Sequence, residues 1–334
     1  MSLIPTIYSS TDPGAPQLSG TPGSLISVLR AVLVNGYGTA PNDRPGLGWT
    51  EEFTGTNKAV FRNSPASGSG YHLRVVDDGS SEVGGSARLA SVRGFSAMSD
   101  IDTGTDPTPT IAQSSTGPQW AKSSHLSSDV RTWWAIGNEL CFYLVVAMYQ
   151  GNPISNGPIY FAGDFISDKP GDLHNFGVSH VSTTGYSGSQ LYISRLFNFL
   201  DSLNGIPANS SCSLFFARAS SGIPGSVPSY NIGTMCRSQN EYGGSNSIDY
   251  PDPVSGGLLF DLAHISEGAR LRRGRFPGVY VPLHNRPFAD LEQLTEPDGL
   301  PESTVLLAKS FRSQNQISTS SDGQVLFDTV NPWH

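Results

Sequence analysis

Residues 131–149, Arg131-Thr-Trp-Trp-Ala-Ile-Gly-Asn-Glu-Leu-Cys-Phe-Tyr-Leu-Val-Val-Ala-Met-Tyr149, leave the chain few ways to fold. No other stretch is as apolar or as aromatic. Gly137-Asn138 interrupts it as a two-residue turn does, between flanks rich in strand-favouring side chains. The arm from Leu140 to Tyr149 is apolar without alternation, so neither of its faces can be wetted. The pattern predicts the central hairpin of a β-rich domain, in a sheet covered on both sides.

The rest of the chain fits around such a sheet. Only 14% of its 334 residues are charged, while 37 are Gly and 24 are Pro. That mixture suits short strands and many turns better than long surface helices. The length accommodates two domains, each with its own core. Residues 1–22 read as an extended N-terminal arm, rich in Pro, Gly and Ser from residue 5 and expected to lie on a neighbouring surface. Thr21-Pro22 then opens a helix, with Thr21 as N-cap and Pro22 in the first turn. Leu25, Val28, Leu29 and Val32 share one face, and Asn35-Gly36 supplies the stop.

Strand patterns follow at 49–53, 58–63, 71–77 and 88–95, separated by Gly-Ser turns at the spacing of an antiparallel meander. After the hairpin, 158–165 and 175–182 read as strands joined by the turn Asp168-Lys-Pro-Gly-Asp172. Residues 23–186 thus make a β-rich domain with one N-terminal helix. A second β-rich domain, 187–334, opens with a helical pattern at 190–203. Its strands are expected at 213–218, 257–265, 275–282, 304–311 and 324–329. The polar loop 219–253 is of a length usually functional or held by a partner. The expected class is α+β and β-dominated: antiparallel sheets with a few helices, in two domains.

Charge narrows the partners. The net charge of −8 argues against a dedicated nucleic-acid binder, which needs a clustered positive field. Of the 20 basic residues 16 are Arg, the bias of surfaces that other subunits cover. Cys141, Cys212 and Cys236 show neither zinc spacing nor a disulfide framework, and Cys141 reads as a buried free thiol. Neither a signal peptide nor a membrane-length apolar run is visible, which implies folding in a reducing cytoplasm.

The chemistry-bearing patterns are few. Asp100-Ile-Asp-Thr-Gly-Thr-Asp106 spaces carboxylates as a short calcium loop does, but lacks the closing bidentate Glu, and turn chemistry accounts for it. Neither a metal nor another cofactor is expected. Arg270, Arg272, Arg273 and Arg275 form the one dense basic cluster, able to grip phosphate or carboxylate. Its candidate partners are this chain's own acids, nucleic acid, or an acidic neighbour across an interface, and the neighbour is favoured. Asp164 and Asp172 flank a turn and could be a glycosidase pair, though turn chemistry explains both. Tyr37, Trp49, Trp120 and Trp333 could stack on sugars, but such residues more often fill cores or contacts. The seven His are scattered, with no H-E-x-x-H, nucleophile elbow or phosphate loop, and no enzyme is expected.

Several stretches together resemble a family of virion structural proteins of tailed bacteriophages. They are Ile7-Tyr-Ser-Ser-Thr-Asp-Pro-Gly-Ala-Pro16 with Leu18-Ser-Gly, then Gly23-Ser-Leu-Ile, Ala31-Val-Leu-Val-Asn-Gly-Tyr-Gly38 and Gly48-Trp-Thr. Phe53-Thr-Gly-Thr-Asn-Lys-Ala-Val-Phe-Arg62, Val92-Arg-Gly-Phe, Met98-Ser-Asp-Ile-Asp-Thr-Gly104 and Arg273-Gly-Arg-Phe-Pro-Gly-Val-Tyr-Val-Pro-Leu-His284 complete the match. The resemblance implies a non-enzymatic particle component and carries no active-site residue. Family members lack an acid corresponding to Asp106, which weighs further against calcium. It implies a protein that folds in the host bacterial cytoplasm and resides in the virion, associated with tail, baseplate or neck. Its partners would be other virion proteins and copies of itself in a ring or trimer. A capsid decoration or cement protein, or a glycan-binding receptor protein, are the alternatives. The expected assembly contacts are Tyr8, Pro13 and Pro16 in the arm, the four arginines, and Trp333 near the end.

Overall fold

The structure is a computed structural model that describes residues 3–83, 87–147, 158–179, 214–222, 229–230, 250–267, 271–284, 288–312 and 322–334. The first strand, β1 (Thr6–Ser9), precedes the helix α1 (Ser24–Arg30), which runs on as a π-helical turn over Ala31–Asn35. Next come β2 (Thr50–Gly55), β3 (Lys58–Arg62), β4 (His72–Val76), β5 (Glu82–Val83) and β6 (Ala87–Phe95). The short β7 (Ala97–Met98) and β8 (Gly104–Thr105) lead to β9 (Gln119–Ser123), β10 (Trp133–Gly137) and β11 (Cys141–Val146). Then follow β12 (Ile159–Asp164), β13 (Ile166–Ser167), β14 (Phe176–Ser179), β15 (Leu214–Phe216) and β16 (Ser229–Tyr230). The last strands are β17 (Phe260–Glu267), β18 (Leu271–Pro282), β19 (Gln293–Thr295), β20 (Val305–Arg312) and β21 (Asp322–Asp328).

Two antiparallel sheets carry nearly all of them. The smaller is the expected meander, ordered β2-β3-β4-β6-β5, with β9 added against β6. The larger runs β1-β10-β11-β12-β14-β15-β16-β17-β18-β21-β20-β19, with β13 against β18. It passes without a break over the expected domain boundary at 186/187, since Gly177 in β14 pairs with Phe216 in β15.

The central hairpin is covered on both faces, as its sequence predicts. Alternate residues of β10 to β12 enter different cores. Trp133, Ala135, Phe142, Leu144, Val146, Tyr160 and Ala162 face α1 and the smaller sheet. Trp134, Ile136, Cys141, Tyr143, Val145 and Phe161 face the far half of their own sheet, which curls back over them. Tyr143 shows the second core's density: its ring lies 5.0 Å from Phe327, 5.1 Å from Phe161 and 5.7 Å from Trp333. Its hydroxyl donates to the Pro277 carbonyl at 3.0 Å, so the one polar atom of that side chain is satisfied.

Two local expectations shift. The hairpin turn is Glu139-Leu140 rather than Gly137-Asn138. The Asn138 N–H donates to the Cys141 carbonyl at 2.9 Å, and its side-chain oxygen accepts from the N–H groups of Leu140 and Cys141. An Asn that accepts from its own turn closes the loop two residues later than residue type alone indicates. The helix starts at Ser24, with Gly23 at the N-cap in the left-handed region (φ 78°), not at Thr21. Its Leu25 N–H is capped by the distant Asp77 carboxylate at 3.0 Å. The stop at Gly36 holds (φ 72°). The helical pattern at 190–203, Cys212, Cys236, Arg270 and most of the loop 219–253 lie outside the described residues.

Candidate functional site

The expected assembly residues divide by what surrounds them. Tyr8 is fully buried: β1 is an edge strand of the larger sheet, paired with β10, and the Tyr8 hydroxyl donates to the Pro45 carbonyl. The arm therefore lies on its own chain. Pro16 offers its carbonyl to the Trp133 indole at 2.9 Å, and Asp12 accepts from Tyr37 at 2.8 Å and pairs with Arg44 at 3.2 Å. Pro13 is exposed. Trp333 is buried in the second core, its indole donating to the Asp328 carbonyl at 2.8 Å. It presses on Gly278 between the places where β13 and β21 join β18; a Cβ there would lie 2.0 Å from the indole nitrogen. Tyr8 and Trp333 are thus framework residues, a correction to their expected role. The same correction removes sugar stacking by Trp49, Trp120 and Trp333, all buried.

The arginine cluster is drawn inward by the turn at 168–172. Adjacent residues of a strand point to opposite faces, so Arg272 and Arg273 part company. Arg272 stays half-exposed and pairs with Asp168 at 2.7 Å. Arg273 is buried, forms an ion pair with Asp172, donates to the Ser167 hydroxyl, and lies over the Phe165 ring at 4.9 Å. A guanidinium enclosed by a carboxylate, a hydroxyl and an aromatic face has no surface left for a neighbour. Both arginines meet this chain's own acids; for the buried Arg273 the favoured acidic neighbour gives way to them, while Arg272 keeps half of its side chain at the surface. Arg275 sits half-buried on the same strand, in register with Ile166 of β13. It borders a groove of about 430 Å³ with Phe260, Tyr280, Asp328 and Trp333.

Around that turn the structure gathers titratable groups that no local pattern connects. Burial works to raise the Asp172 carboxyl, but Ser167, the His174 N–H and Arg273 outweigh it and hold it below the usual range. His174 Nδ1 hydrogen-bonds the Tyr71 hydroxyl at 2.8 Å. Burial, helped by the Arg218 charge, keeps that imidazole below its ordinary value, and burial pushes the Tyr71 phenol up to about 12. Arg218 pairs with Asp106 at 3.1 Å.

The carboxylates of the calcium-like loop turn to separate partners: Asp100 caps its own turn, Asp102 pairs with Lys58 and Arg74, and Asp106 with Arg218. Among the described residues no three His, Cys, Asp or Glu converge as metal ligands would. Asp164 and Asp172, the imagined glycosidase pair, fall into different surroundings. Asp164 is buried between the sheets, accepting from Ser69 N–H at 2.7 Å and Asn63 Nδ2 at 2.9 Å. A second groove, about 510 Å³, runs along the start of α1 past Ser19, Thr21, Ser27 and Asn57. Beneath it the buried Lys122 pairs with Asp77. Among the described residues no helix is long and apolar enough to cross a membrane.

Sequence reasoning missed the Tyr71–His174 contact and the Asp77–Lys122 pair. Their members lie 103 and 45 residues apart, beyond any local signal. No family model matches the chain, and no curated protein matches it.

Proposed function

We propose that the chain is a non-enzymatic structural component of a tailed-phage particle, tail-associated and assembled with copies of itself and other virion proteins. One observation carries the reading: the stretches that resemble phage virion proteins run through the framework. Tyr8, Trp49, Phe61, Val92 and Phe276 all belong to them, and all are buried. A likeness seated in the frame speaks for shared architecture, whereas a shared reaction would leave it in a cleft. Among the described residues Asp77 with Lys122, Asp106 with Arg218 and Asp172 with Arg273 are engaged in ion pairs within the chain.

The docking role then falls to side chains that remain at the surface. Arg272, with half of its side chain exposed, lies beside the turn that holds its partner Asp168. Pro13 offers a second exposed point on the arm. The decisive experiment is a particle reconstruction that locates the chain and counts its copies. Alongside it, Arg272→Ala should lower incorporation into particles while the isolated chain folds normally. Particles complete without this chain would sink the reading, and normal incorporation of the variant would remove Arg272 from the contact.

A further inference from the structure

We propose that Asp164 is a proton-uptake site that couples the packing of the two sheets to pH. The inference does not depend on the virion reading. Asp164 ends β12 in the larger sheet, and its carboxylate reaches across to the β3–β4 connection of the smaller one. There it accepts from the Ser69 N–H at 2.7 Å, the Ser69 hydroxyl at 2.5 Å and Asn63 Nδ2 at 2.9 Å. Asn63 Nδ2 also donates to the Leu140 carbonyl at 3.2 Å, and the Asp164 N–H donates to the same oxygen at 3.0 Å. The His334 ring donates to the Asp164 carbonyl at 3.2 Å. The Asp164 carboxylate thus holds the connecting loop, the Asn63 side chain and the Asp164 N–H meet at the hairpin turn, and the Asp164 carbonyl receives His334.

The carboxyl is 1% exposed, and no cation pairs with it among the described residues. The titratable groups that face it are Asp172, Cys141 of β11, Tyr71 of the smaller sheet and His334. None supplies a compensating charge. The site also accepts a proton without rearranging. The Ser69 hydroxyl can reverse and accept from a protonated carboxyl, while both N–H donors keep their acceptors. Burial accordingly raises the carboxyl to about 6, against the opposing pull of Ser69 and Asn63. The folded chain holds this proton more tightly than the unfolded chain does. The junction is therefore firmest in mild acid and loosens as pH rises through about 6.

Difference infrared spectroscopy of the full chain across pH 4–8 reads the carboxyl directly. A protonated-acid band should grow in as pH falls through the region of 6, vanish in Asp164→Asn, and move to higher pH in Ser69→Ala, whose ionised carboxylate has lost a donor. A band that appears only in the ordinary carboxylate range, survives in Asp164→Asn, or is unmoved in Ser69→Ala would overturn the proposal. Should Asp164→Asn not fold, the wild-type midpoint and its shift in Ser69→Ala decide alone.

Discussion

Asp164 and Asp172 stand eight residues apart, one ending β12 between the sheets and the other in the turn after β13, and their surroundings drive them in opposite directions. Asp172 accepts from Ser167 and the His174 N–H, meets the buried Arg273 guanidinium, and is held below the usual carboxylate range. Asp164 meets only neutral donors and is pushed toward its acid form. Burial acts to raise both. At Asp172 the Ser167 hydroxyl, the His174 N–H and then the Arg273 cation together outweigh it, whereas at Asp164 the neutral donors Ser69 and Asn63 do not. The same contrast separates Arg273, enclosed with its partner, from Arg272, whose pair is wet.

Four measurements would break or sharpen that contrast. The largest effect should come from Arg273→Ala, which strands a buried carboxylate. A loss of about 3–5 kcal/mol in denaturant-induced unfolding is expected, and a loss under about 1 kcal/mol would show that Asp172 is solvated in the variant. Next is the pH dependence of stability. The Asp164 carboxyl is raised in the fold, so its stabilising contribution is present below the unfolded value and lost as pH rises through about 6. The span corresponds to at most about 3 kcal/mol. Asp172 is lowered, so its contribution is present above the unfolded value and lost as pH falls through its folded value. Asp164→Asn should flatten the first slope and leave the second; an unchanged slope between pH 4 and 7 would refute the assignment.

Ser167→Ala comes third. It removes a hydroxyl that donates to Asp172 at 2.7 Å, and should cost about 1 kcal/mol while raising the Asp172 titration. The smallest effect belongs to Arg272→Ala, below about 1 kcal/mol and diminishing with added salt. A large loss there would mean that the exposed pair is not screened.

Much of the frame was legible because burial imposes periodicity. The unbroken apolar run of Leu140–Ala147 could satisfy no wetted face, and α1 and the β2–β3–β4–β6 meander followed from spacing and turns. The roles of single residues were less legible. Tyr8 and Trp333 carry the composition of contact residues, and only their neighbours show that the contact is internal. The Arg270–Arg275 run looked like a single basic patch, because a sequence does not show that Asp168 and Asp172 come alongside to take two of its members. The hairpin turn moved by two residues because the Asn138 side chain bonds its own backbone, a choice that residue type allows but does not dictate.

By itself, then, the sequence determined which segments must be strands and which of them must be covered on both sides, since an apolar side chain carries its preference for burial wherever it goes. The larger sheet's return over its own centre, the passage of that sheet across the expected boundary between domains, and the opposite directions in which two similar aspartates are shifted were decided only by the tertiary structure. Pairing and electrostatics depend on what lies within a few ångströms, and residues as distant as Ser69 and Asp164 become neighbours only once the chain has folded.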